Sequence, residues 1–159
     1  MKIPFSTVEY VHREVESELA AAFQAVIKSN WFVRGEATAR FEEEFASYCG
    51  VRYAVGVDNG LNAIKLILQA LGVGPGDEVI IPGNTFIATA LAVSGTGATP
   101  VLADPEVDTF NISAANIEPL LTSKTKAIVP VHLYGQCADM DPILALAERH
   151  GSKNAGWSR

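Results

Sequence analysis

Four short segments carry residue types that could do chemistry: "DNGLN" (58–62), "PGNTF" (82–86), "ADPEVDTF" (103–110) and "HLYGQCAD" (132–139). In the first, a glycine at a helix start lets backbone N–H groups approach a phosphate, and the helix dipole favours the anion. Asn59 and Asn62 could add side-chain donors. An ordinary Asn-Gly turn with an N-cap accounts for the same residues, and on spacing alone it is the better reading. Phe86 could stack on a planar ring, but core packing is the simpler role for it; Thr85 either caps its helix or reaches a ligand. His132 and Tyr134, two apart at a strand end, share a direction and could do acid–base work with Gln136 and Asp139 nearby. A hydrogen-bonded structural histidine is the commoner arrangement.

Other groupings carry less. Glu42, Glu43 and Glu44 are adjacent on a helix, point in different directions and read as a solvated face rather than a metal site. "GVGPGD" does not fit the dinucleotide glycine pattern and lies between a helix and the next strand, on the wrong side of a sheet for phosphate. Cys49 and Cys137 match no metal-ligand spacing and read as two buried free thiols. Twelve basic against eighteen acidic residues give a net charge of -6. No basic stripe is present, which speaks against nucleic acid as a partner. The start "MKIPFSTVEY" lacks a signal-peptide core, and there is no apolar run of about 18 residues, so no membrane span is expected. The expected location is the cytoplasm.

The elements that must position these segments follow from periodicity. Ser6-Thr-Val-Glu9 has capping-box form, ahead of Val11, Val15, Leu19, Ala22, Phe23, Val26 and Ile27 at helical spacing. A connector with Trp31, Phe32 and Gly35 leads to a second helix bearing Phe41, Phe45, Tyr48 and Cys49 on one face, ended by Gly50. From residue 51 strands and helices alternate. "YAVGVD" (53–58), "EVIIPG", "TPVLAD" and "KAIVPVHLYG" predict four strands. Helices follow at "GLNAIKLILQALG", at "NTFIATALAVSGTG" capped by Asn84 or Thr85, from Ser113 to about Leu121, and after Asp141-Pro142 as N-cap and N1. Apolar strands without inside–outside alternation predict a mostly parallel sheet with helices on both faces. The fold class is α/β: a helical segment over 1–50, an α/β domain over 51–151 and a polar tail over 152–159. Ligands of such sheets collect at the carboxyl ends of the strands, where the four segments lie.

Taken together, "WFVRGEATARFEEEFASYCGVRYAVGVDNGLNAI", "LGVGPGDEVIIPGNTFIATALAVSGTGATPVLAD", "DTFNI" and "TKAIVPVHLYGQCADMDPILALAERHG" resemble the N-terminal part of the DegT/DnrJ/EryC1/StrS family of sugar aminotransferases. The likeness runs from about Phe5 to Gly151. It implies part of the large domain of a fold type I transferase using pyridoxal 5'-phosphate, with a nucleotide-linked keto-sugar as substrate and an amino acid, usually glutamate, as donor. "NGLNAI" and "NTFIATALAVS" look most like the branch that aminates C3 of dTDP-linked 3-keto-6-deoxyhexoses. The cofactor-binding residues carried over are Asn59, Gly60, Leu61 and Phe86. Gly60 and Leu61 match the loop whose amides hold the cofactor phosphate. The commoner family sequence there is Ser-Gly-Thr, so Leu61 removes a hydroxyl donor. Phe86 matches the aromatic that stacks on the pyridine ring, which reverses the core reading. By the same likeness, Trp31 to Arg34 border the active site at a dimer interface, and a homo-oligomer is expected.

The likeness also implies what is not here. After "ERHG" family members run into an apolar strand whose Asp partners the pyridine nitrogen; counting forward, Trp157 stands near that place, in a tail read as strandless. The Schiff-base lysine matches none of Lys2, Lys28, Lys65, Lys124, Lys126 and Lys153. No catalytic residue is therefore assigned, and the chain as it stands is expected to be inactive. The change at Ser152 reads as a frameshift, a shortened gene or an artificial chain end. An unpaired fourth strand would add a second reason for self-association. The competing readings are a non-catalytic module that holds a nucleotide sugar or pairs with a full-length subunit, and a dinucleotide-binding dehydrogenase domain. The last lacks the glycine fingerprint after its first strand.

Overall fold

The computed structural model describes Pro4, residues 7–151 and the backbone of residues 153–154. The chain divides into two compact units, Met1–Gly56 and Val57–Arg159.

The first unit is helical. Helix α1 spans Glu9–Ser29 and ends where Asn30 turns left-handed at φ 54°. Its N-cap is Val8, while Thr7 Oγ1 accepts the Glu9 amide at 3.1 Å; Ser6 of the expected capping box lies outside the described residues. The expected apolar stripe is present, yet no residue of α1 is buried within this span. Gly35 begins α2 (Glu36–Tyr48) in extended backbone. A Cβ there would sit 2.9 Å from the Trp31 carbonyl oxygen, so only glycine lets the connector fold back this closely. Along α2, Phe41, Phe45 and Tyr48 stack at 5.5 and 6.4 Å. Glu43 and Glu44 face solvent, and Glu42 accepts the Gly56 amide at 2.7 Å.

The strand expected at Tyr53–Asp58 is not formed. Its residues are apolar and β-branched enough, but a strand exists only by pairing, and among the described residues none pairs with it. Strand propensity alone cannot supply the missing ladder.

The second unit is the sheet with its covering helices. Helix α3 spans Gly60–Ala70, β1 Glu78–Pro82, α4 Ile87–Ser94 and β2 Thr99–Ala103. Helix α5 (Ala114–Ile117) runs into a 3-10 turn at Glu118–Leu120; β3 (Thr125–Ile128), α6 (Met140–His150) and β4 (Lys153–Asn154) follow. All strands are parallel, in the order β2-β1-β3-β4. Central β1 is buried on both faces. Val79 and Ile81 pack with Ile64 and Leu68 of α3 and Ala92 and Val93 of α4. Ile80 packs the other way, with Ile128, Ile117, Ile143 and Leu146 under α5 and α6. Each such fully buried aliphatic side chain contributes about 1.5–3 kcal/mol of transfer free energy. This is why β1 lacks polar alternation.

Several expected boundaries move. Helix α4 starts from Phe86 with no side-chain cap: Asn84 instead donates to the Phe110 carbonyl at 3.0 Å, and Thr85 pairs with Thr89 at 3.0 Å. The Ser113 cap is present, accepting the Asn116 amide, but Pro119 ends the α-helix early. Helix α6 begins at Asp139 rather than Asp141. The fourth predicted strand stops at Ile128. Val129 still donates to Ile80 at 2.9 Å, but Pro130 has no N–H to continue the ladder. Both cysteines are free and exposed, not buried.

The tail is not strandless. Lys153 and Asn154 pair with Ala127 and Ile128, so this part of the β3 edge is covered. Backbone ladders need no apolar side chains, which is how a polar segment takes the place. Ser152, Trp157 and the rest of the tail lie outside the described residues.

Candidate functional site

A cleft of about 510 Å³ opens at the carboxyl ends of the strands. Asn59, Gly60, Leu61 and Ile64 line it from the start of α3, and Thr85, Phe86, Ala88 and Thr89 from the start of α4. Val131 and Leu133, beyond β3, complete it. All four residues carried over as cofactor-binding, Asn59, Gly60, Leu61 and Phe86, thus meet in one cleft. They are brought there because both helices begin at this end of a parallel sheet.

The α3 start is tightly organised. Asn59 is extended (φ -163°, ψ 169°), and its Oδ1 accepts the Asn62 amide at 2.9 Å. Asp58 accepts from Asn59 Nδ2 at 3.0 Å and from Asn62 Nδ2 at 2.8 and 2.9 Å. The side-chain donors expected of Asn59 and Asn62 are therefore engaged with Asp58. What this helix start offers a ligand is backbone: the amides of Gly60 and Leu61 have no carbonyl four residues back within the helix. The α4 start likewise lacks a side-chain cap, while the Thr89 amide donates to the Phe86 carbonyl at 3.1 Å. Two helix starts on one cleft create a positive field without a charged side chain. Phe86, 71% exposed, presents its ring there.

The remaining candidates sit elsewhere. His132 Nδ1 accepts the Ala138 amide at 3.1 Å, the structural role that its residue type most often takes. Tyr134 is exposed, left-handed at φ 57°, and meets Phe110 edge-on at 5.5 Å. Gln136 closes a turn onto the Leu133 carbonyl at 3.1 Å, and Asp139 begins α6. In the first unit, Trp31 Nε1 donates to the Val33 carbonyl at 2.8 Å, and Arg34 is left-handed at φ 51°. No lysine is among the described residues that line the cleft. Among the described residues, no three His, Cys, Asp or Glu side chains gather as a metal site, and no helix is long and apolar enough to cross a membrane.

Two residues escaped the sequence. Asp58 was legible in principle, since Asp and Asn four apart across a helix start suggest a side-chain bond. Asn111, 2% exposed, carries no such signal, because its partners lie 22 and 25 residues away.

The chain is 46% identical over 151 residues to a dTDP-3-amino-3,6-dideoxy-alpha-D-galactopyranose transaminase of Aneurinibacillus thermoaerophilus, covering 95% of this chain and 42% of that protein. A solved structure of DesV from S. venezuelae, in complex with a ketimine intermediate, matches with a TM-score of 0.94 at 44% identity, over 98% of this chain and 42% of that one. NtdA from Bacillus subtilis with bound cofactor PMP matches at 0.91 and 38% identity, over 98% and 36%. The chain thus spans about two fifths of the length of these relatives. The family model for DegT/DnrJ/EryC1/StrS aminotransferases matches residues 13–153, and the chain belongs to that family.

Proposed function

We propose that residues 57–151 are the part of a sugar aminotransferase that receives pyridoxal 5'-phosphate, its phosphate against the Gly60 and Leu61 amides and its ring against Phe86. The observation that carries this is the convergence of two helix starts and an exposed aromatic on one cleft. The fit is chemical. Gly60 has no side chain to keep an anion from the backbone, and the apolar lining from Ile64, Ala88, Val131 and Leu133 suits an aromatic ring. Asp58 opposes it, as a carboxylate beside the phosphate loop. Bound cofactor supplies an electron sink for moving an amino group between donor and ketone. This chain's residues bind and orient. The α3 amides neutralise phosphate charge, Phe86 fixes the ring plane, and the apolar wall excludes water.

The substrate class we infer is a nucleotide-linked keto-sugar, with a 3-keto-6-deoxyhexose carried on dTDP as the specific candidate and an amino acid as donor. The names of the relatives support the class. A homo-oligomer is the assembly we expect, and light scattering tests it. The span alone should not transaminate, because among the described residues no lysine side chain lines the cleft.

Titrating the 159-residue chain with pyridoxal 5'-phosphate and with pyridoxal, followed by absorbance, tests the reading. Pyridoxal 5'-phosphate should bind about tenfold or more tightly than pyridoxal, a difference of one charge-assisted contact set. Equal affinities, or none, would sink it.

A further inference from the structure

We infer that Asn111 is the positioning residue of the cleft wall at Leu133, acting through the Leu133–Gln136 turn. The inference rests on reading the cleft as the cofactor's. Asn111 is 2% exposed. Its Nδ2 donates to the Gln136 carbonyl at 3.0 Å, and its Oδ1 accepts the Leu133 amide at 2.9 Å. One carboxamide therefore clasps both ends of a four-residue turn, which closes on itself through Gln136 N–H to the Leu133 carbonyl at 3.1 Å. Leu133 lines the cleft.

The turn needs holding. Tyr134 within it adopts φ 57°, and Phe110, beside Asn111, adopts φ 59°; bulky residues rarely enter this left-handed region. The two rings meet edge-on at 5.5 Å. Phe110 is anchored in turn, because Asn84, one residue before Thr85 of the cleft, donates to its carbonyl at 3.0 Å. The Asn111 carbonyl accepts the Glu106 amide at 2.9 Å. Asn111 thus ties the loop after β3 to a segment already tied to the loop after β1, and both loops supply residues of the cleft. An apolar side chain of equal size would leave the Leu133 amide and the Gln136 carbonyl without this partner. When the turn leaves its shape, the fraction of molecules with a formed cleft falls, and apparent affinity falls with it.

Asn111→Asp is the decisive variant. It keeps the acceptor for Leu133 but sets an oxygen against the Gln136 carbonyl, where only a protonated carboxyl can donate. Burial raises the pKa of such a carboxyl, so protonation comes within reach of mild acid. The ratio of variant to wild-type Kd for pyridoxal 5'-phosphate should be about tenfold at about pH 8 and fall toward one by about pH 5. Hydrogen exchange reads the same clasp without cofactor: at about pH 8 the Leu133 amide should exchange about tenfold faster in N111D, with Leu68 unchanged. A ratio of one at every pH, with Leu133 exchange at the wild-type rate, overturns the inference. Wild-type protein that binds no cofactor overturns the proposed function instead, and Leu133 exchange still decides the clasp. Should N111D fail to fold, N111D/Y134G places glycine at the strained position. Its recovery with the pH-dependent affinity supports the clasp, and wild-type affinity at all pH values removes it. If that variant also fails, exchange in wild type decides: a Leu133 amide as slow as Val129 supports the clasp, and one as fast as Gly135 overturns it.

Discussion

Asp58 holds the Asn62 carboxamide with both carboxylate oxygens, at 2.8 and 2.9 Å, across the start of α3. The same carboxylate accepts from the Asn59 side-chain Nδ2, which leaves Asn59 Oδ1 to cap the helix. A negative charge thus organises the helix start that we assign to an anion. The two effects have opposite signs for a bound phosphate and can be separated.

Asp58→Asn removes the charge and keeps the size. The phosphate loses a repulsion of about 1 kcal/mol, so the affinity of pyridoxal 5'-phosphate relative to pyridoxal should rise about fivefold. The helix loses a favourable charge at its positive end, at a cost of about 0.3–1 kcal/mol visible in urea unfolding. Affinity that falls together with stability would show that positioning outweighs charge.

Phe86→Ala tests the ring contact separately from the phosphate contact. The side chain is 71% exposed, so its loss should leave the unfolding midpoint nearly unchanged. Pyridoxal and pyridoxal 5'-phosphate should both weaken by the same factor, about five- to tenfold, as expected for one aromatic stacking contact. Unchanged affinities would return Phe86 to a packing role.

What the sequence made legible follows from which signals are local. The parallel sheet was readable because Val79, Ile80 and Ile81 leave no polar face, and the structure buries all three completely. Spacing alone favoured a plain turn at Gly60 and a core role for Phe86; only the family resemblance grouped them with Asn59 and Leu61, and the structure lines one cleft with all four. The missing strand at Tyr53–Asp58 and the short one at Lys153–Asn154 were not, because pairing depends on a neighbour rather than on composition. Asn111 was invisible for the same reason. A buried amide in a loop gains its meaning from Leu133 and Gln136, far along the chain.

Gly97→Ala addresses the fold away from the cleft. Gly97 adopts φ +86°, and a Cβ there would stand 2.9 Å from Pro75 Cγ, at the amino ends of β1 and β2. Both the backbone and the contact oppose any side chain, so a stability loss of about 1–3 kcal/mol is expected in urea. Cofactor affinity extrapolated to the folded state should stay the same, because the cleft lies at the other end of the sheet. A stable variant would show that the turn can re-form around alanine.

The catalytic step itself gives the last test. Transamination needs a lysine beside the ring to move the proton and a carboxylate at the pyridine nitrogen. Lys65 lies in the middle of α3 with its stem toward Gly95, and Lys124 and Lys126 are exposed at the amino end of β3. The cleft opens at the carboxyl end, so none of these three can serve it. Borohydride treatment of the chain with pyridoxal 5'-phosphate should therefore leave no cofactor fixed in the cleft, although exposed lysines can react slowly. Peptide mapping separates the two outcomes by the residue modified. Turnover of a nucleotide-linked 3-keto or 4-keto sugar with glutamate should stay at background. Robust turnover, or specific labelling that Phe86→Ala abolishes, would mean that a lysine outside the described side chains reaches the ring.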